Sequence, residues 1–281
     1  MYEVIFLWAL ALAYITFAVV QDIRTREIAN WISFSLIVFA LGFRFFYSLF
    51  EGDGFSFFYN GAIGLGIFLV LGNILYYGKV FAGGDAKLMI AMGTILPSSP
   101  QILANLKIFF NFIAIFLLMG FFYILVSSTV LCIRHFKAFR REFLEQLKKN
   151  KKPMLLLLVF SILLLCLGFL ETLFLILGAL VFFSSYLYLY SKAVDEACMI
   201  KKIKSKYLRE GDWLYSDLKL KDRKLKAKWE GVSKKDIEEI RKKYKEVRIR
   251  HGIAFSPVFL ISFVIFVILT LLNVKLWNPF G

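Results

Sequence analysis

The chain has 281 residues, of which 59% are hydrophobic and 18% aromatic, with a mean hydropathy of +0.70. That composition excludes a soluble globule and describes a polytopic membrane protein. The formal charge of +15 does not point to nucleic acid. The Lys and Arg residues stand in blocks between apolar runs, which is the pattern of cytoplasmic loops lying beside anionic lipid head groups.

The first apolar run, Val4 to Val20, is preceded only by the acidic Glu3, so it is expected to stay as a span rather than be removed as a signal. It ends at Gln21-Asp22-Ile23-Arg24-Thr25-Arg26-Glu27, whose arginines place this loop in the cytoplasm. Trp31 to Phe50 forms the second span, with Arg44 expected to snorkel toward the outer face. Glu51 to Ser56 is a short acidic outer loop. Phe57 to Tyr77 is the third span, and its Gly61, Gly64, Gly66 and Gly72 make a packing face. Gly78 to Gly84 is expected as a loop. The apolar stretch from Asp85 to Leu96, closed by Pro97, is too short to cross a ~30 Å hydrocarbon core and is expected to be recessed among its neighbours.

Ile108 to Ile133 is the next span, and residues 134–152 follow as a basic cytoplasmic loop. The apolar stretch 153–190 is broken by Glu171. As a hairpin turning at Glu171 it keeps the flanking basic blocks on one face; as one helix it would bury a carboxylate in mid-membrane. Residues 191–252 are polar and basic. They are expected to form a small soluble domain leaning on the membrane face, with a strand near Trp213 and a helix opened by the capping pattern Ser233-Lys234-Lys235-Asp236. Residues 253–281 hold a last span, Ala254 to Leu272, with Pro257 in its first turn, where the missing N–H costs little. The fold expected is thus all-α and polytopic, a bundle of about eight transmembrane helices with a small α+β cytoplasmic insertion, behind a membrane core of residues 1–133. On this map every Lys and Arg except Arg44, Lys107 and Lys275 is cytoplasmic.

Two carboxylates stand out. Asp85 follows Gly83 and Gly84 at the edge of an apolar run, and Asp22 closes the first run in the same kind of position. Charged groups at the edge of a span are costly, and they are functional candidates by default. The two glycines let the backbone bend, or let another backbone approach closely. Two carboxylates at one depth suit acid/base chemistry on a peptide bond; the bland reading is that each Asp marks where a helix leaves the membrane. Lys87 reads as an interfacial anchor. Cys132, Cys166 and Cys198 are far apart and His135 and His251 are isolated, so neither a metal nor a cofactor is expected.

Three stretches carry a family resemblance. Asp22 through Trp31, with Ile28-Ala29-Asn30, resembles the segment after the first helix of type IV prepilin peptidases. Ala82-Gly83-Gly84-Asp85-Ala86-Lys87-Leu88 resembles their Gly-x-Gly-Asp signature, and Gly252 through Phe259 is similar to their last-helix Ile-Pro-Phe-x-Pro pattern. Ala82 replaces a signature glycine, while Ala29 and Ala254 replace prolines. The paired cysteines of the zinc-binding domain often found in the bacterial form are absent. The short form with a basic insertion before the last helix is most similar to archaeal preflagellin peptidases and their prepilin-processing relatives. The resemblance implies an aspartic endopeptidase with Asp22 and Asp85 as catalytic residues, and with Gly83 and Gly84 where substrate backbone approaches. It also implies prepilin or preflagellin precursors as partners, at the cytoplasmic face of the cell membrane. The alternatives are a signal-peptide-peptidase or presenilin-like protease, whose first aspartate normally follows Tyr where Gln21 stands here, and a transporter, which would show internal repeats of its spans.

Overall fold

A computed structural model describes residues 2–50, 54–220, 223–228, 231–272 and 274. Part of the expected outer loop (residues 51–53) and the C-terminal stretch with Lys275 lie outside the described residues. The chain divides into two units, residues 1–124 with 254–281, and residues 125–253.

The first unit is helical: α1 (Tyr2–Thr25), α2 (Asn30–Phe50), α3 (Ser56–Tyr77), α4 (Gly83–Ile95), the first part of α5 (Ile102–Arg134), and α10 (Pro257–Leu271). Along α1 the buried residues Val4, Trp8, Ala11, Ile15, Ala18 and Asp22 recur every three or four positions. This is the single inward stripe of a packed helix. The helix runs past the expected loop start, so Asp22 continues that stripe and faces inward. Short α4 is buried on nearly all sides and packs against α1, α2 and α3.

Glycines set the closeness of α3 to α4. A Cβ on Gly64 would lie 2.1 Å from the Gly93 carbonyl oxygen, and one on Gly93 would lie 2.3 Å from that of Gly64. Gly72 meets Ala86 and Ile90 of α4 in the same way, while Gly66 faces open space. The expected packing face therefore holds for Gly61, Gly64 and Gly72 and not for Gly66.

Arg44 corrects an expectation. It does not snorkel outward; it is fully buried. Its Nε donates to the Thr94 carbonyl at 2.8 Å and its Nη1 to the Phe57 carbonyl at 2.9 Å. Its Nη2 donates to the carbonyls of Ile95 and Pro97, and the guanidinium lies 4.2 Å from the Phe57 ring centroid. The last turn of a helix leaves carbonyls without intrahelical partners, and a cation there also meets the negative end of the helix dipole. Gly61 provides the room, since a Cβ there would sit 2.5 Å from Arg44 Cδ.

The second unit holds the rest of α5, then α6 (Phe136–Lys149), α7 (Lys151–Leu167), α8 (Thr172–Cys198), β1 (Ile200–Lys204), β2 (Trp213–Leu214), β3 (Leu218–Lys219), β4 (Lys224–Leu225), α9 (Lys234–Lys243) and β5 (Glu246–Arg250). The stretch 134–152 is not a loop but largely helix α6, because Phe139, Phe143 and Leu147 recur at helical spacing among the basic residues. Helix α6 breaks at Asn150, whose side chain donates to the Gln146 carbonyl at 2.8 Å. Pro153 lies just beyond and cannot supply an N–H to continue the ladder.

The two apolar halves of the stretch 153–190 are the neighbouring helices α7 and α8. Helices α7 and α8 pack together, with Gly168 against Leu175 and Gly178 against Leu165, and Glu171 is the exposed N-cap residue of α8. An antiparallel sheet of order β1-β5-β2 follows, with β3 and β4 as a separate pair. Ser233 caps α9 in a reciprocal box with Asp236. Leu214, Val232, Ile237, Ile240, Val247 and Ile249 are among the residues of a small core of its own. Arg250 pairs with Asp195 and Glu196 of α8.

Among the described residues, α1, α2, α3, α5 and α8 are long and apolar enough to cross a membrane. Helices α6 and α7 add a sixth candidate only if taken as one span bent by 78°, and α10 is a shorter apolar helix. The protein is therefore a helical membrane protein with five or six candidate spans and a small strand-containing insertion.

Replacing Arg44 by Met should destabilise the protein by about 3 kcal/mol or more, because several buried carbonyls lose their donors together. Arg44→Lys should recover little, since one ammonium cannot reproduce the planar fork. Thermal unfolding of the purified protein in detergent is the measurement, and unchanged midpoints for both variants would refute this role.

Candidate active site

Three short segments of the first unit meet around the two aspartates. The first is the end of α1 with its turn into α2. Arg26 takes a left-handed conformation (φ 62°), and its N–H donates to the Asp22 carbonyl at 2.8 Å, closing the helix. Gln21 Oε1 accepts the Ala29 N–H at 3.1 Å, and Thr25 Oγ1 donates to the carbonyls of Gln21 and Glu27. These bonds fold the turn back so that Ile28 and Asn30 reach α4. Ile28 lies against Gly84, where an added Cβ would stand 3.0 Å from the Ile28 Cβ. Asn30 Oδ1 accepts from Lys87 Nζ at 2.6 Å.

The second segment is the start of α4. Ala82 is its extended N-cap, and Gly83, Gly84 and Asp85 form the first turn. The two glycines are thus helical rather than part of a loop, which corrects the expected boundary. The Asp85 carboxylate reaches back to the Ala82 backbone N–H, as a residue in the third helical position can. Phe81, one residue before the cap, is buried and packs on the rings of Phe116, Phe255 and Phe259 at centroid distances of 5.9, 5.8 and 6.1 Å. An aromatic anchor therefore holds the stretch leading into the site.

The third segment is the entry to α10. Ser256 is fully buried, and its N–H donates to Asp22 Oδ2 at 3.4 Å. Tyr123 Oη donates to the Ala254 carbonyl at 2.9 Å and fixes the chain just before it. Pro257 opens the helix as expected.

Asp22 and Asp85 are both buried, at 8% and 9% exposure. They are near enough for the charge of one to act on the other. The structure therefore brings together the two carboxylates singled out from sequence and separates the roles of their neighbours. Gly84 is tight against Ile28, whereas Gly83 has space, its nearest neighbour to an added Cβ being Tyr76 at 3.7 Å. Lys87 points to Asn30. Sequence reasoning missed the Ser256 amide and the packing role of Ile28. The Ile28-Ala29-Asn30 and Ser256-Pro257 patterns were the available signal, but neither says which atom of it faces an aspartate.

A membrane bundle with two buried carboxylates at the ends of distant helices, each held by backbone donors, belongs to the class of membrane proteins with an embedded acidic pair. Residues 5–128, a stretch that contains both aspartates, match the model of the type IV leader peptidase family. A preflagellin peptidase of Methanococcus maripaludis (strain C6) is 35% identical over 80 residues, which is 28% of this chain and 34% of that protein. The chain thus spans about a third of the length of this curated relative. No solved structure matches the chain.

The contact between Gly84 and Ile28 can be measured. Gly84→Val should lower stability by about 1–2 kcal/mol through overpacking, and Ile28→Ala in the same chain should restore part of it. Gly83→Ala should leave the unfolding midpoint unchanged. Equal effects at the two glycines, or no coupling between positions 28 and 84, would contradict the assignment.

Proposed function

We propose that this protein is a membrane-embedded aspartic endopeptidase that removes the short basic leader peptide from prepilin or preflagellin precursors at the cytoplasmic face of the cell membrane. What supports the reading is that Asp22 and Asp85 are both buried and both lie within the segment matching the type IV leader peptidase family. The substrate class follows the relative described as a preflagellin peptidase.

The chemistry is that of a carboxylate pair. Two close carboxylates do not readily ionise together, so the pair holds one proton. The ionised member takes a proton from water as that water attacks the scissile carbonyl. The protonated member donates to the carbonyl oxygen, and the proton passes on to the leaving amine. That shared proton belongs to the pair rather than to either residue. The scissile peptide must be extended to be cut, because helical hydrogen bonding occupies its carbonyl. Gly83, with space around its α-carbon, is the place for substrate backbone to lie. The hydrophobic helix of the precursor packs laterally on the bundle while its basic leader stays in the aqueous interface. We read the eight apolar elements as eight membrane segments, with α4 recessed, α7 and α8 crossing as a hairpin, and the basic blocks in the cytoplasm.

Asp22→Asn and Asp85→Asn should each reduce cleavage of a prepilin-type precursor by about a thousandfold or more, with an unchanged size-exclusion profile in detergent. The double variant should be hardly worse than either single one, because residues acting as a unit are not additive. Near-normal turnover in either single variant would remove the pair from the mechanism. Gly83→Val should slow cleavage with little change in thermal midpoint.

Topology is tested by impermeant thiol labelling in a background without native cysteines. Probes at Ser98 and Glu171 should react from outside the cell, and probes at Ser205 and Ser233 only after the cytoplasm is opened. A probe at Glu171 that stays shielded from both sides would overturn the eight-segment map.

A further inference from the structure

The second unit carries a groove, with lysines next in sequence to its Asn150 and Pro153, that the proposed peptidase chemistry does not use. It lies between α7 and α8 at the α6–α7 elbow and has a volume of about 370 Å³. Its walls are mainly apolar, with Pro153, Met154, Leu157, Val181 and Leu189 along it. Ser184 and Ser185 also line the α8 wall. Asn150 lines the groove as well, and so does Tyr188, whose ring lies under Lys192 Nζ at 5.8 Å.

At the elbow itself Lys148, Lys149, Lys151 and Lys152 are all exposed. The 78° bend between α6 and α7 turns α6 aside just where α7 becomes apolar. If α7 crosses a bilayer, α6 lies along its surface. The exposed side of α6 fits that position, since Phe136 and Leu144 stand among Arg140, Arg141 and Lys148. Mixed apolar and basic side chains on one face are the signature of an interfacial helix on anionic lipid. The face of α6 that meets α8 is a different one, marked by Phe139 against Tyr190 and by buried Gln146.

We propose that this groove is a binding site for one anionic phospholipid. A hydrocarbon chain lies between α7 and α8, and the phosphate head group rests at the elbow among Lys148, Lys149, Lys151, Lys152 and Lys192. Charge complementarity selects the occupant. A mainly apolar groove whose Asn150 end is flanked in sequence by exposed lysines matches a molecule with an apolar tail and a negative head. Several lysines at the head-group level together favour an anionic over a zwitterionic lipid, each contributing through surface electrostatics. The site is independent of the carboxylate pair, so it stands or falls apart from the peptidase reading.

The test is native mass spectrometry of the delipidated full-length protein in detergent, titrated with dioleoylphosphatidylglycerol, dioleoylphosphatidylcholine or glycerol phosphate. One phosphatidylglycerol should bind with at least about tenfold preference over phosphatidylcholine, and glycerol phosphate should not be retained. Replacing Lys148, Lys149, Lys151 and Lys152 together by Gln should collapse the preference to within about twofold. Ser184→Phe, at an exposed position on the groove wall, should remove the bound lipid while leaving every lysine in place. Equal retention of the two lipids by the native protein overturns the proposal. So does undiminished binding to the Ser184→Phe variant, which would mean that the charges act as a diffuse surface. A dimer that excludes lipid until it is dissociated would assign the groove to a second copy instead.

Discussion

A helix of 13 residues buried on nearly every side needs both its ends satisfied by protein, because water is not available to do it. At the far end of α4 from the carboxylate pair, Arg44 meets this need with hydrogen bonds to the carbonyls of Thr94, Ile95 and Pro97. At the near end Asp85 reaches back to the Ala82 amide. Between the ends, Gly64 and Gly93 bring the backbones of α3 and α4 into contact, so the helix is held along its length. A charge inside a membrane protein is tolerated when it is fully hydrogen-bonded. Here that charge holds the far end of α4 against its neighbours, and so steadies the helix that carries Asp85.

The site depends on three segments remote from each other in sequence. Asp22 faces inward because it continues the stripe of Ala11, Ile15 and Ala18 on α1. The following turn carries Ile28 to Gly84 and Asn30 to Lys87, so one loop places both the packing contact and the polar contact at the head of α4. The α10 entry adds the Ser256 amide to Asp22. Each carboxylate thus meets one backbone amide, Asp22 that of Ser256 and Asp85 that of Ala82, and the two amides come from different segments.

In the second unit the basic residues are part of folded elements. Those of α6 share a helix with Phe139 and Phe143, whose rings stack at 5.8 Å, and Arg250 ties the sheet to α8 through Asp195 and Glu196. The positive charge therefore has local structural uses.

Periodicity and punctuation in the sequence were enough to locate the apolar helices, the hairpin turning at Glu171, the capping box of Ser233 and Asp236, the Pro257 helix start and the two candidate carboxylates. All of these are local signals, set by residues within a few turns of each other. The length of α6 was missed because a dense block of charges masked its helical spacing. The direction of Arg44 was also hidden, since an arginine in an apolar run can snorkel or turn inward, and its carbonyl acceptors lie about fifty residues away or on another helix. Gly83 and Gly84 are adjacent and identical in sequence; only Ile28, brought back by the turn after α1, makes one a packing contact and leaves the other open. What a side chain can do is written in its residue type and spacing. What it meets is decided by the tertiary fold, because burial and close approach come from partners distant in the chain.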